Sequence, residues 1–227
     1  MFIVGIVGRA YQNKDGQNII QTHESIRKFL MSKDNVVCIT LLPTDDVDYY
    51  QIESGDDKVN SIKLDYILSR CDAFVVPGGT YGYSFDEYVI RYAIDHNKPL
   101  LAICLGFQIL CSMFAKDRTK FDVTRSLGND SHYGDSTQYI HKVKVMNDTL
   151  LDNILKQEMV DVNSVHHDVV DFEMEDLLVS AISEDGIIEG VEYPNKRFIL
   201  GLQWHPEYLL DDNSYLILEH FVEAIRH

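Results

Sequence analysis

The chain has 227 residues, of which 45% are hydrophobic and 25% charged, and its 36 acidic side chains against 20 basic ones leave a formal charge of -16. That length and apolar content suit one domain spanning residues 1–227 and exclude a disordered chain. The acidic balance repels phosphate backbones and anionic lipid, which excludes nucleic acid and membrane surfaces as partners.

In chain order, MFIVGIVGRA has no basic region ahead of its short apolar stretch, and Arg9 interrupts it. Neither a signal peptide nor a spanning helix fits, and a cytoplasmic protein is expected. FIVGIV (2–7) reads as a strand, and 19–31 as a helix with Ile19, Ile26, Phe29 and Leu30 on its inner face. VVCITLLP (36–43) reads as a second strand closed by Pro43, and the acidic stretch 44–60, without sustained period, as a surface loop. A helix over 62–68, a strand AFVV (73–76), a helix over 84–96 and a strand PLLAIC (99–104) follow, and the last runs into a helix carrying Ile109, Leu110, Met113 and Phe114. Apolar runs alternating with helical segments build a parallel sheet covered by helices.

The polar stretch 124–137 reads as a long excursion. Strands are expected at 139–145 and 159–165, then a hairpin of 177–183 and 187–193 around Glu184-Asp185-Gly186, a buried strand FILGLQW (198–204) and a closing helix over 214–225. Four cysteines, Cys38, Cys71, Cys104 and Cys111, show no CxxC pair and no metal-ligand rhythm, so they read as reduced thiols. Cys38, Cys71 and Cys111 suit packing.

Cys104 stands where a strand turns into a helix. There the helix terminus favours thiolate over thiol, and small residues two places to either side, Ala102 and Gly106, suit the tight turn of a nucleophile elbow. A buried structural cysteine is the alternative. A nucleophilic thiol needs a base and a group to orient it. QWHPEY (203–208) offers His205 and Glu207, which in an extended segment point to one side; a solvated loop pair is the alternative. VVPGGTYG (75–82) places a Pro-Gly-Gly turn after a strand, where the amide of Gly79 or Gly78 would complete an oxyanion hole with that of Leu105. A plain turn explains the glycines as well, and no phosphate loop is present because no GK[ST] follows. A metal site of Cys104, His166 and His205 fits composition, but the elbow setting of the thiol argues against it. No metal, and no organic cofactor, is expected.

AICLGFQIL, VPGGT, VNSVHHDVV and GLQWHPE resemble the class I glutamine amidotransferase-like superfamily, and within it the γ-glutamyl-γ-aminobutyrate hydrolase type, peptidase C26-like. The likeness runs from VGIVGR to the closing helix. It implies a flavodoxin-like, doubly wound, mainly parallel sheet flanked by helices, with an added antiparallel strand region in the C-terminal half. It implies a triad of Cys104, His205 and Glu207, cleavage of a small γ-glutamyl compound, and substrate contacts at Gly78, Gln108, Ser164, Val165 and His166. Adjacent His166 and His167 face opposite ways in an extended chain, so one at most lines the site. Tyr81, Tyr83, His132 and Tyr133 are candidates for the leaving-group side of the cleft. Two departures stand out: Ala102 replaces a glycine common in relatives, and Leu105 follows the cysteine where many hydrolase-type relatives carry arginine. The partners implied are the γ-glutamyl substrate, a second copy in a homodimer and, under the alternative of a glutaminase subunit, a separate synthase chain. A non-catalytic metabolite-binding protein is the remaining alternative.

Overall fold

Apolar runs too short for helices, flanked by Gly, Pro and polar turns, become strands whose alternate side chains enter two separate cores. The computed structural model describes residues 1–43, 61–80, 82, 84–117, 124–128 and 130–226. The expected loop 44–60 and the candidates Tyr81 and Tyr83 lie outside the described residues. The first half runs β1 (Phe2–Val7), β2 (Arg9–Gln12), β3 (Asn18–Gln21), α1 (Glu24–Leu30), β4 (Val36–Leu41), α2 (Ser61–Leu68), β5 (Ala73–Val76), α3 (Ser84–Asp95), β6 (Leu100–Ile103) and α4 (Leu105–Met113). The second half runs β7 (Thr124–Ser126), β8 (His141–Val145), α5 (Leu150–Leu155), β9 (Met159–Val162), β10 (Asp168–Val170), β11 (Leu178–Ser183), β12 (Ile188–Glu192), β13 (Ile199–Leu202), α6 (Pro206–Leu209) and α7 (Asp212–Arg226).

Among the described residues nine strands form one sheet in the order β4-β1-β5-β6-β13-β12-β11-β8-β9. The pairs from β4 to β13 are parallel, and those from β13 to β9 are antiparallel. Strand β13 therefore joins the two regimes. The strand period of two splits the apolar residues. Val75, Leu101, Ile103 and Leu200 face α1, α5 and α7, while Phe74, Val76, Leu100 and Ile199 face α2, α3 and α4. Both faces of the parallel part are thus covered, which is why its strands read as unbroken apolar runs. Among the described residues no helix is long and apolar enough to cross a membrane.

The helix expected from residue 19 begins only at Glu24. Ile19 and Ile20 instead pair with Tyr11 and Ala10 in a hairpin, whose turn is stabilised by Asn13 and by Gly16 at φ 77°. Ile26, Phe29 and Leu30 do form the inner face of α1. Helix α5 has no counterpart among the expected elements. It is only six residues long, and its start depends on a Thr149 side-chain cap together with the distant Glu192 carboxylate, which accepts from Leu150 N and Leu151 N. The 177–193 hairpin forms as expected, with Gly186 at φ 89° in its turn.

Candidate active site

Register brings three strand ends to one level: Ile103 of β6 pairs with Leu202 of β13, and Ala102 with Val76 of β5. Cys104 follows directly. Its φ of 52° and ψ of -106° place a non-glycine residue in a sparsely allowed region, a distortion that costs on the order of 1–3 kcal/mol and persists only where surroundings enforce it. They do so here: Cys104 N donates to Leu202 O at 2.8 Å, and Gln108 N to Cys104 O at 3.0 Å. Gly106 lets α4 pack directly on β5, since a Cβ there would lie 2.1 Å from the Val76 carbonyl oxygen. The thiol is thereby held at the N-terminus of α4, 8% of the residue remaining exposed.

His205 and Glu207 meet differently from the extended arrangement expected. His205 is the N-cap of α6, Pro206 occupies the first turn and Glu207 follows inside it. This short turn, with the proline fixing φ at its start, sets His205 Nδ1 2.8 Å from Glu207 Oε1. The Cys104 side chain lies close enough to the same imidazole to raise its pKa. Gly78 lies against both, for a Cβ there would be 2.9 Å from His205 Cε1 and 3.4 Å from Cys104 Cβ. Burial by itself lowers the pKa of His205, but Glu207 and Cys104 outweigh it, and the imidazole is raised well above 6.5. The backbone of His205 is clamped by buried Asn163, which accepts from His205 N at 2.8 Å and donates to His205 O at 2.9 Å.

The Pro77-Gly78-Gly79 turn is held from behind by Arg9. This buried guanidinium donates to Pro77 O, donates to Gly78 O at 3.1 Å and pairs with fully buried Asp86. In a trans peptide the amide hydrogen opposes the carbonyl, so the N–H groups of Gly78 and Gly79 point away from Arg9. Gly79 also packs on Leu105, whose Cδ2 would be 3.3 Å from an added Cβ. The two proposed amide donors therefore come from neighbouring backbone.

The remaining candidates separate into two groups. Gln108 donates its side-chain amide to Asp168 O and Gln203 Oε1, both at 3.1 Å. Ser164 Oγ donates to His132 O at 2.6 Å, and Val165 bridges Tyr133. His166 is 4% exposed while the His167 side chain is 48% exposed, so the two do face opposite ways. Both nitrogens of His166 have neighbours away from the thiol: Nδ1 lies 3.0 Å from Asp168 O, and Nε2 lies 3.4 Å from Glu189 Oε1. The trio of Cys104, His166 and His205 does not assemble; among the described residues, those that could hold a metal are His132, His141, His166 and Glu189. His132 is 2% exposed and sits in that group rather than on a loop rim, whereas Tyr133 is exposed and stacks on His167. Burial pushes the Cys38 and Cys71 thiols up to about 11 and Cys111 well above its ordinary value, consistent with their packing role.

Arg9, Asp86 and Asn163 were missed as site residues. Arg9 carried a signal, a lone charge ending an apolar strand at the edge where ligands gather in doubly wound sheets. Asn163 and Asp86 looked like ordinary polar residues of an expected strand and an expected helix. His23 joins them spatially: its Nδ1 lies 3.2 Å from Tyr208 Oη, and burial lowers its pKa, opposed by Glu207 and reinforced by His205 and Arg9.

A family model described as Peptidase C26 matches residues 84–207. Over 135 residues the chain is 33% identical to the protein NtpR of Enterococcus hirae, covering 57% of this chain and 56% of that one. It is 34% identical over 125 residues to a putative glutamine amidotransferase of Mycobacterium tuberculosis, covering 55% and 40%. With the CTP synthase of Saccharolobus solfataricus it shares 29% over 185 residues, covering 69% and 34%. The chain thus spans about half the length of the first two curated relatives and a third of the synthase. The glutaminase domain of Trypanosoma brucei CTPS with bound acivicin superposes with a TM-score of 0.67 at 20% identity, covering 100% of this chain and 94% of that one. A putative GMP synthase component of Thermoplasma acidophilum gives 0.61 at 18% identity, covering 100% and 95%. Those two likenesses establish the fold, a flavodoxin-like sheet with a parallel core, as expected.

Proposed function

This chain belongs to the Peptidase C26 family, within the class I glutamine amidotransferase-like superfamily, and from that premise we propose that it is a cysteine-dependent hydrolase of a small γ-glutamyl amide. What supports the reading is that the Cys104 side chain lies beside the His205 imidazole, which bonds Glu207, at the carboxyl edge of the sheet. The Cys104 thiolate attacks the γ-carbonyl carbon, and the carbonyl electron pair moves to oxygen, where the amides of Leu105 and Gly79 receive it. Each such donor accelerates the reaction on the order of 100- to 1,000-fold. Collapse breaks the C–N bond as His205 passes its proton to the departing amine, leaving a γ-glutamyl thioester. Water then attacks the thioester, His205 takes its proton, and the thiolate leaves the γ-carboxylate product. Glu207 stays ionised and steadies the imidazolium. Gly78 and the backbone of Ser164 and Val165 border the glutamyl group. Gln108 and His166 brace that side by both donating to the Asp168 carbonyl.

The test is a panel of γ-glutamyl amines and glutamine given to the isolated chain, with release of amine or ammonia as readout and Cys104→Ala as control. Turnover of at least one γ-glutamyl amine, abolished in the variant, supports the proposal; undiminished turnover in the variant ends it. The CTP synthase relatives favour a second reading, in which the chain is a glutaminase serving a separate synthase. Glutamine hydrolysis that appears only on addition of such a partner would establish that reading instead. Labelling of Cys104 by a glutamine-mimicking electrophile would count against a purely metabolite-binding role.

A further inference from the structure

His132 belongs to the loop before β8, His141 starts β8, His166 precedes β10 and Glu189 lies in β12. Tertiary folding brings one donor atom from each to within 4.8 Å of every other. The side chains of His132 and His166 are 2% exposed, that of His141 14% and that of Glu189 not at all. Glu189 Oε1 lies 3.0 Å from His132 Nδ1, 3.4 Å from His166 Nε2 and 3.8 Å from His141 Nε2. None of these inward nitrogens, and neither carboxylate oxygen, has a hydrogen-bond partner of acceptable geometry.

The outward nitrogens decide what the inward ones are. His132 Nε2 faces the Asp185 carboxylate at 3.0 Å, His166 Nδ1 the Asp168 carbonyl at 3.0 Å and His141 Nδ1 the Lys142 carbonyl at 3.3 Å. Each of these partners is an acceptor, so each outward nitrogen carries the hydrogen and donates. A neutral imidazole then has only a lone pair to direct inward. Three lone pairs and a carboxylate converging in a dry pocket repel one another and lack compensation for lost water. A single extra proton on His132 would serve the 3.0 Å contact and leave His141 and His166 unmatched. A divalent cation matches all four.

We propose that His132, His141, His166 and Glu189 form a closed, four-coordinate Zn²⁺ site. Three imidazoles and one carboxylate suit zinc, and bonds of about 2.0–2.1 Å give a tetrahedral edge of roughly 3.3–3.4 Å, close to the distances from Glu189 Oε1. Imidazoles oriented through their other nitrogen by carboxylate or carbonyl are the usual outer arrangement of such sites. With four protein ligands and little exposure, the role is structural rather than hydrolytic. The ion ties the loop before β8 to β8, β12 and the 163–166 segment, which is also fastened by Ser164 Oγ and His166 N donating to His132 O. Asn163, the clamp on His205, belongs to that segment. Because His166 also braces the glutamyl side of the proposed reaction site, the test reads metal binding and not activity.

The protein is dialysed against a strong chelator, then titrated with Zn²⁺ and separately with Co²⁺, with metal content measured by mass spectrometry. The expected result is one equivalent per chain, and for cobalt the intense visible bands of a tetrahedral site without thiolate charge transfer, unchanged in Cys104→Ser. Glu189→Gln and His141→Ala should each weaken affinity at least about tenfold while near-ultraviolet circular dichroism stays native. Should those variants fail to fold, the wild-type cobalt spectrum alone decides. A folded chain that takes up no stoichiometric metal, or whose spectrum contains thiolate transitions lost in Cys104→Ser, overturns the proposal; in the first case the cluster is a proton-sharing network only.

Discussion

Two clusters of buried titratable side chains, around His205 and around Glu189, are wired in opposite ways. At the sheet's carboxyl edge the polar groups are ranged in series: Cys104 lies beside the His205 imidazole, and that imidazole bonds Glu207 at 2.8 Å. In the antiparallel half, the imidazoles of His132, His141 and His166 are linked outward to the protein, and their inward nitrogens and the Glu189 oxygens converge without a hydrogen-bond partner of acceptable geometry. In such a series the carboxylate holds the imidazole in place and the imidazole exchanges the proton, which suits chemistry at the sulfur end. A convergence of acceptors can only be satisfied by something placed at its centre. The polar residue types overlap, yet connectivity sets the function.

Substitutions can separate the two groups experimentally. Cys104→Ala should lower turnover by roughly 1,000-fold or more while metal uptake stays at the wild-type level; equal loss of both would mean that the two groups act as one. Glu207→Gln follows, with a loss in kcat on the order of 100-fold or more and a change in pH profile. Because Glu207 raises the His205 pKa, its removal lowers that pKa, and the alkaline limb of the rate profile should move to lower pH. The same group makes a stability prediction. Its folded-state pKa exceeds the unfolded 6.5, so the stabilisation is complete below about pH 6.5 and is lost as pH rises through the folded value. Denaturant midpoints measured across that window should fall in the wild type and fall less in Glu207→Gln.

Asn163→Ala leaves the buried backbone N–H and C=O of His205 without their partner, at about 1–3 kcal/mol in stability. Urea titration should register that cost together with slower turnover, since the base loses its clamp. The smallest effect is expected for Asp185→Asn. This half-exposed carboxylate orients His132 and accepts from Ser183 Oγ at 2.5 Å, and its change should weaken zinc affinity about tenfold with turnover unaffected, as followed by competition with a chromophoric chelator.

The parallel half was legible along the chain because its strands are apolar on both faces and its helices carry a clear period. Cys104 was legible for the same reason, as a polar intruder at the end of such a run with small residues beside it. The β2–β3 hairpin was not, since Ile19 and Ile20 continue the spacing of α1 and only the cross-strand pairing with Ala10 and Tyr11 separates them. His205 and Glu207 were picked out together, but on the wrong local geometry: a helix cap, rather than an extended segment, joins them.

Local order along the chain determined the alternation of strands and helices, the elbow at Cys104 and the proximity of His205 to Glu207, because each depends on residues a few positions apart. Tertiary structure alone decided that the thiol reaches the imidazole, that Arg9 aligns the Gly78-Gly79 turn, and that His132, His141, His166 and Glu189 converge. Those contacts join segments far apart along the chain. Their register is set by the packing of β5, β6, β12 and β13 in one sheet, and no spacing along a single element encodes it.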